Sequence, residues 1–173
     1  MRRKIYDKLL AWKKNSNGAS ALMIEGARRV GKSYIVEEFA RKEYDSYILI
    51  NFSQAPDDVK EWFEVYLEDI DKLLFNLQLH YNKRLTSRHS LIIFDEVQDC
   101  PRAREAIKFL VADGRYDYIE TGSLISVKSK VKGINIPSEE DTLDMYPMDF
   151  EEFLWALGND MMFPYFSECL KKL

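Results

Sequence analysis

Gly26-Ala27-Arg28-Arg29-Val30-Gly31-Lys32-Ser33 sets two glycines, a lysine and a hydroxyl at the spacing G-x-x-x-x-G-K-S. The chemistry open to such a run is the holding of a polyanion. A loop that turns its backbone N–H groups inward around phosphate oxygens needs glycine where a Cβ would clash. A helix starting at the lysine adds its positive N-terminal end. In that arrangement Lys32 reaches the β- and γ-phosphates of a nucleotide, and the Ser33 hydroxyl ligates Mg²⁺. The expected phosphate-contacting set is Gly26, Ala27, Arg28, Arg29, Val30, Gly31, Lys32 and Ser33, with Tyr34 next in line.

A second group is Leu91-Ile92-Ile93-Phe94-Asp95-Glu96, an apolar run that closes on two carboxylates. Acidic residues often merely end a strand; behind a phosphate loop they acquire a task. Asp95 is expected to hold Mg²⁺, directly or through water, completing the metal site with Ser33. Glu96 fits a general base that orients or deprotonates an attacking water, which favours hydrolysis over transfer to another acceptor. Thr121-Gly122-Ser123 is the third group. If its strand lies between those of the first two groups, its tip faces the γ-phosphate. A hydroxyl there could sense hydrolysis, with Ser123 the first choice and Thr121 the second; an ordinary strand-ending turn is the alternative. Guanine recognition is disfavoured, because Asn82-Lys83-Arg84-Leu85 lacks the acid of N-K-x-D and no Asp stands three residues before a Gly.

These groups work only if regular elements bring them together. Ile5, Leu9 and Trp12 share one face of a helix over residues 5–14, closed by Asn15–Gly18. Strands are predicted over 21–25, 47–51, 90–95, 116–120 and 142–146. A helix with Ile35, Val36, Phe39 and Ala40 on one face follows the phosphate loop to about Arg41. From Pro56-Asp57 an apolar ladder runs through Val59, Phe63, Tyr66, Ile70, Leu74, Leu77 and Tyr81, a long helical pattern with a break at Glu68-Asp69. Pro101 opens another helix that Gly114 ends. Residues 124–137 read as a polar loop, and Glu139-Glu140 as a solvated acidic pair. Asp149-Phe150-Glu151-Glu152 resembles a capping box opening a helix to Leu157. Strands alternating with helices predict an α/β fold with a parallel sheet covered on both faces. One domain is expected over 1–173, with 1–20 as helix and linker and 159–173 as an unplaced tail.

Composition narrows the function classes. Apolar residues at 46% and charged residues at 31% describe a globular chain with a core. A net charge of −4 gives no global field toward nucleic acid or membrane. Lys128, Lys130 and Lys132 alternate and could contact a phosphate backbone, but solvent exposure is the simpler reading. His80 and His89 lack metal partners at ligand spacing. Cys100 and Cys169 have no metal spacing and suggest no disulfide framework, so a reducing cytoplasm is expected. No signal peptide is seen, and no run approaches the roughly 20 apolar residues of a membrane span.

GARRVGKSYIVEEFA, LIIFDEVQDCPRA, YIETGSL and MYPMDFEEFLWAL, in that order, resemble the AAA-type ATPases predicted in bacteria and archaea. The resemblance covers residues 1–158. It implies a three-layer P-loop NTPase fold with a five-stranded, mostly parallel sheet of order 5-1-4-3-2. It also implies ATP as nucleotide, Gly26–Ser33 as Walker A, Asp95-Glu96 as Walker B and a sensor near Ser123. In that family a C-terminal region with a nuclease-like fold usually follows, so self-association or that region is the implied partner. Relatives often carry Gly-Arg before the fifth strand, whereas Gly133 is followed here by Ile134. Arg102 and Arg104 are then the candidates for an arginine completing a neighbour's site. The helical lid that closes over adenine in related ATPases is missing from this sequence, which points to weak affinity and slow turnover. The expectation is ATP–Mg²⁺ binding with slow hydrolysis. A nucleotide-loaded switch is the main alternative, and a phosphotransferase a lesser one that would need an acceptor pocket.

Overall fold

The computed structural model describes residues 2–123 and 139–170. Lys128, Lys130, Lys132, Gly133 and the loop expected over 124–137 lie outside the described residues. Five strands, β1 (Ala21–Gly26), β2 (Ser46–Asn51), β3 (Ser90–Asp95), β4 (Asp117–Ser123) and β5 (Glu140–Met145), form one sheet. Their order is β2-β3-β4-β1-β5 and every pairing is parallel. Read from the other edge this is the expected 5-1-4-3-2.

Parallel strands must be covered on both faces, and the burial pattern follows. One face carries Leu22, Ile24, Leu91, Ile93 and Ile119 beneath α1 (Ile5–Ser16) and α2 (Lys32–Glu43). The other carries Met23, Ile48, Ile50, Ile92, Phe94 and Tyr118 beneath α3 (Asp57–Val65), α4 (Ile70–His80) and α5 (Pro101–Asp113). Phe52, Phe63 and Phe94 meet edge to face on this second side, with centroids 5.4–5.5 Å apart. That geometry sets the positive ring edge against the negative ring face. After β5 come α6 (Phe150–Ala156) and α7 (Met162–Leu170), the latter within the tail that sequence left unplaced. Asp149 and Glu152 form the expected capping box at the start of α6.

The long helical pattern is two helices with the expected break at Glu68-Asp69, because Asp69 caps α4 by accepting from the Lys72 amide at 3.1 Å. Two strand boundaries differ from expectation. β4 continues through Thr121–Ser123, which pair with Ile24–Gly26 of β1. β5 starts at Glu140, two residues early, so Glu140 is not a solvated loop residue. Its side chain is held by Arg104, whose Nη2 donates to Glu140 Oε1 at 2.9 Å. Arg104 is therefore buried under the sheet between α5, β4 and β5, and, contrary to expectation, is not placed to reach a neighbour's site. Arg102 is exposed and pairs with Glu105 on its own helix.

Glu120 shares that pocket at 0% exposure, with Oε2 4.0 Å from Arg104 Nε. Two buried carboxylates then face one guanidinium. Burial and the neighbouring Glu140 charge push the Glu120 carboxyl well above its ordinary range, despite Arg104. The folded chain keeps a proton there that the unfolded chain releases above about pH 4.5. This penalty grows as pH rises and levels off past the folded value. Glu120→Gln is expected to raise the melting temperature by ~3 °C or more near neutral pH, with a gain that vanishes in acid. Thermal melts of both proteins across pH check this.

Candidate nucleotide site

β1, β3 and β4 lie side by side and run the same way, so the three sequence groups emerge at one edge of the sheet. Such an edge, at the C-terminal ends of parallel strands, is where α/β folds place ligands. The loop 27–31 joins β1 to α2. At Gly26 a Cβ would stand 2.2 Å from the Met145 carbonyl oxygen, so the end of β5 admits only glycine there. Gly31 sits at φ +95° immediately before α2, a conformation that side chains resist. Arg29 also has positive φ, at 66°. Ala27, Arg28 and Arg29 are exposed along the loop, and Tyr34 is exposed on the first turn of α2.

Lys32 opens α2 with only 5% of its surface exposed. Its ammonium donates to the Gly26 and Ala27 carbonyls at 3.1 and 2.9 Å, folded back into the loop. Burial pulls its pKa down from 10.5, while Glu96 and Asp95 act to raise it. Next to it, the Ser33 hydroxyl donates to Asp95 Oδ1 at 2.7 Å. Asp95 is 2% exposed and accepts two further bonds, from Thr121 Oγ1 at 2.5 Å and from Asn51 Nδ2 at 2.9 Å. A hydroxyl and a carboxylate in contact on adjacent elements form a hard-oxygen donor pair of the kind Mg²⁺ takes. Ser33 and Asp95 therefore fit the ion expected of them.

Glu96 follows in a left-handed conformation at φ 53°. For a glutamate that backbone is strained and is held by what surrounds it. Its amide donates to Thr121 Oγ1 at 3.3 Å, and its carboxylate accepts from the Gln98 amide. Ser123 is buried at the end of β4, in register with Gly26. Thr121, the second choice as sensor, is bonded to both Asp95 and the Glu96 amide. Two residues at the site escaped the sequence reading. Asn51 ends β2 as a polar residue after an apolar run, a signal that could have been used. Arg3 donates to the Val30 carbonyl at 3.1 Å and the Tyr146 carbonyl at 2.8 Å, and nothing in the sequence announced it.

Thr121→Val keeps the side-chain shape but strips Asp95 of one donor. It is expected to destabilise the fold by about 1–2 kcal/mol, read by denaturant titration. Gly26→Ala drives a methyl into the β5 backbone and should destabilise by ~2–3 kcal/mol in the same assay.

Residues 19–154, well over half of the chain, match the family described as AAA domain. No curated protein matches the chain by sequence. Among solved structures, the Orc1 protein of Aeropyrum pernix in complex with DNA is similar at TM-score 0.57 and 11% identity. The similarity covers 92% of this chain and 50% of that one, so this chain spans about half its neighbour's length. PCH-2 of C. elegans aligns at TM-score 0.49 and 16% identity, over 92% of this chain and 44% of that one. At such identities the structural likeness speaks for the fold alone. The family match and the parallel 5-1-4-3-2 sheet with its phosphate loop agree, and the chain belongs to the AAA domain family of P-loop ATPases.

Proposed function

We propose that this domain binds ATP with Mg²⁺ and hydrolyses the γ-phosphate slowly. The observation that carries the reading is the meeting of Lys32, Ser33, Asp95 and Thr121 at one sheet edge, with Glu96 beside them. The phosphate-contacting residues are Gly26 through Tyr34, with Lys32 swinging from the loop carbonyls to the β- and γ-phosphates. Ser33 and Asp95 hold the Mg²⁺, which when bound neutralises charge developing on the phosphates. Glu96 takes the proton of the attacking water, and Ser123 and Thr121 line the γ-phosphate end. Transfer to water leaves ADP and inorganic phosphate.

A cavity of about 290 Å³ lies between residues 3–8 and residues 144–152, lined among others by Arg3, Ile5, Met145, Tyr146 and Pro147; Arg3 links it to the loop through the Val30 carbonyl, and we assign it to the base. Its edges are polar and apolar in turn, as nucleoside sites are. We read residues 1–173 as one domain, with Phe163 of α7 packed on Phe150 of α6 at 6.4 Å. Cys100 is buried as a free thiol, which fits a reducing cytoplasm. Self-association, or a C-terminal region, is the proposed partner, and exposed Arg102 is left as the candidate for reaching a neighbour's site, since Arg104 is committed to the core.

One observation favours a second reading. The Glu96 carboxylate is engaged by Gln98 and must be released before it can serve as base. If that clasp persists with nucleotide bound, the domain is an ATP-loaded switch with little turnover.

Calorimetric titration with ATP, ADP and GTP plus Mg²⁺, followed by phosphate release, tests both readings. ATP binding with release that Lys32→Ala removes supports hydrolysis. Glu96→Gln should bind ATP while losing about 10²-fold or more in release. Binding without release by the wild type supports the switch, and no binding of any nucleotide overturns both. Because the free Lys32 pKa is lowered and phosphate raises it, ATP binding should take up a proton at alkaline pH. Affinity should then fall as pH rises, beginning on the acid side of 10.5, and binding heats in two buffers of different ionisation enthalpy report the proton.

A further inference from the structure

Residues 2–4 form a short strap before α1 that reaches three separate parts of the fold. Arg3 is at its centre, 5% exposed. Nη1 donates to the Val30 carbonyl in the phosphate loop, and Nη2 to the Tyr146 carbonyl just past β5. Nε lies 3.2 Å from Glu152 Oε1 on α6. The same Glu152 oxygen accepts from the Lys4 amide at 2.7 Å, and Oε2 accepts from the Asp149 amide at 3.1 Å. The capping carboxylate of α6 is thus also the anchor of the strap. Lys4 adds Nζ contacts of 2.7 Å to both Asp149 and Glu151, and the Arg2 guanidinium lies 4.1 Å over Trp155.

The consequence for the site follows from peptide geometry. In a trans peptide the C=O and N–H point in opposite directions, and no described peptide bond is cis. A guanidinium that holds the Val30 carbonyl on the strap side turns the Gly31 N–H away from the strap. Glycine at φ +95° is free to flip that peptide, so the orientation needs an outside hold. A buried guanidinium with a carboxylate behind it supplies one, because its planar donors fix direction as well as charge.

We propose that Arg3 is a positioning residue for the phosphate loop, holding the Val30–Gly31 peptide with its N–H toward the anion, and that Glu152 holds Arg3 in place. The inference rests on the ATP reading. It also makes α6 part of the nucleotide site's support, although α6 contributes no group to the phosphates.

The experiment compares wild type, Arg3→Ala, Arg3→Lys and Glu152→Gln for ATP–Mg²⁺ and for inorganic tripolyphosphate, with melting temperature taken on each sample. Arg3→Ala should weaken both ligands by about tenfold or more, since a charged hydrogen bond to the loop is lost. Arg3→Lys, which can reach one carbonyl but not two and the carboxylate, should recover part of that loss. Glu152→Gln, which leaves Arg3 its two carbonyls, should weaken binding less, by about threefold. If Arg3→Ala is poorly folded, sucrose that restores its melting temperature should leave the affinity loss in place.

Loss of ATP affinity with tripolyphosphate unaffected would place Arg3 at the base cavity instead and overturn the inference. Equal affinities in wild type and folded Arg3→Ala would overturn it too, while leaving the ATP reading intact. A wild type that binds neither ligand would overturn the ATP reading and this inference together.

Discussion

The Asp95 carboxylate is the point on which the site depends. It is buried, and it accepts from Ser33 on α2, Asn51 at the end of β2 and Thr121 on β4. A carboxylate this deep is costly unless several donors surround it, and three elements supply them. In return it fixes where those elements stand relative to one another. The first turn of α2 cannot slide along the sheet without breaking the Ser33 bond. β4 cannot change register without moving Thr121 away from both Asp95 and the Glu96 amide. The phosphate loop, spanning β1 and α2, inherits this rigidity from both ends.

Away from that edge a second charged group has a different character. Arg104, Glu120 and Glu140 lie inside the fold with more acid than base, and Glu120 has no hydrogen-bond partner to the guanidinium at the distances observed. The arrangement joins α5 to β4 and to the edge strand β5. It does so with ionic contacts where neighbouring strands use apolar ones, and burial raises the Glu120 carboxyl's hold on its proton. The two buried carboxylates differ in surroundings: three hydrogen-bond donors converge on Asp95, whereas Glu120 is shifted toward its neutral form.

The fold was readable from sequence because its signals are local and repeated. Apolar runs such as Leu91–Phe94, followed by helical ladders, dictate a covered parallel sheet, and the phosphate loop's spacing is contiguous. The Asp69 break and the Asp149–Glu152 capping box were visible for the same reason. What sequence missed is long-range. Glu140 looked like half of a solvated pair, because its partner Arg104 is 36 residues away. Arg104 looked like a surface arginine because an amphipathic helix does not state which polar residue will face a buried acid. Arg3 lies in an unremarkable basic start, and its three contacts are with residues far along the chain. Asn51 was open to notice, as the polar end of a strand beside the one that closes on Asp95.

The close approach of Gly26 to the Met145 carbonyl bears on how the domain is made. β1 is the central strand of its half of the sheet, yet both its neighbours are synthesised much later. β4 pairs Leu22 with Ile119, and β5 pairs Ala21 with Glu140. Contacts that close such long loops form late and slowly. The phosphate loop thus leaves the ribosome before the strands that seat it. Until β5 arrives, the Met145 carbonyl does not close on Gly26, and the strap at residues 2–4 has neither Tyr146 nor Glu152 to grip. A nascent chain therefore carries the motif long before it carries the site.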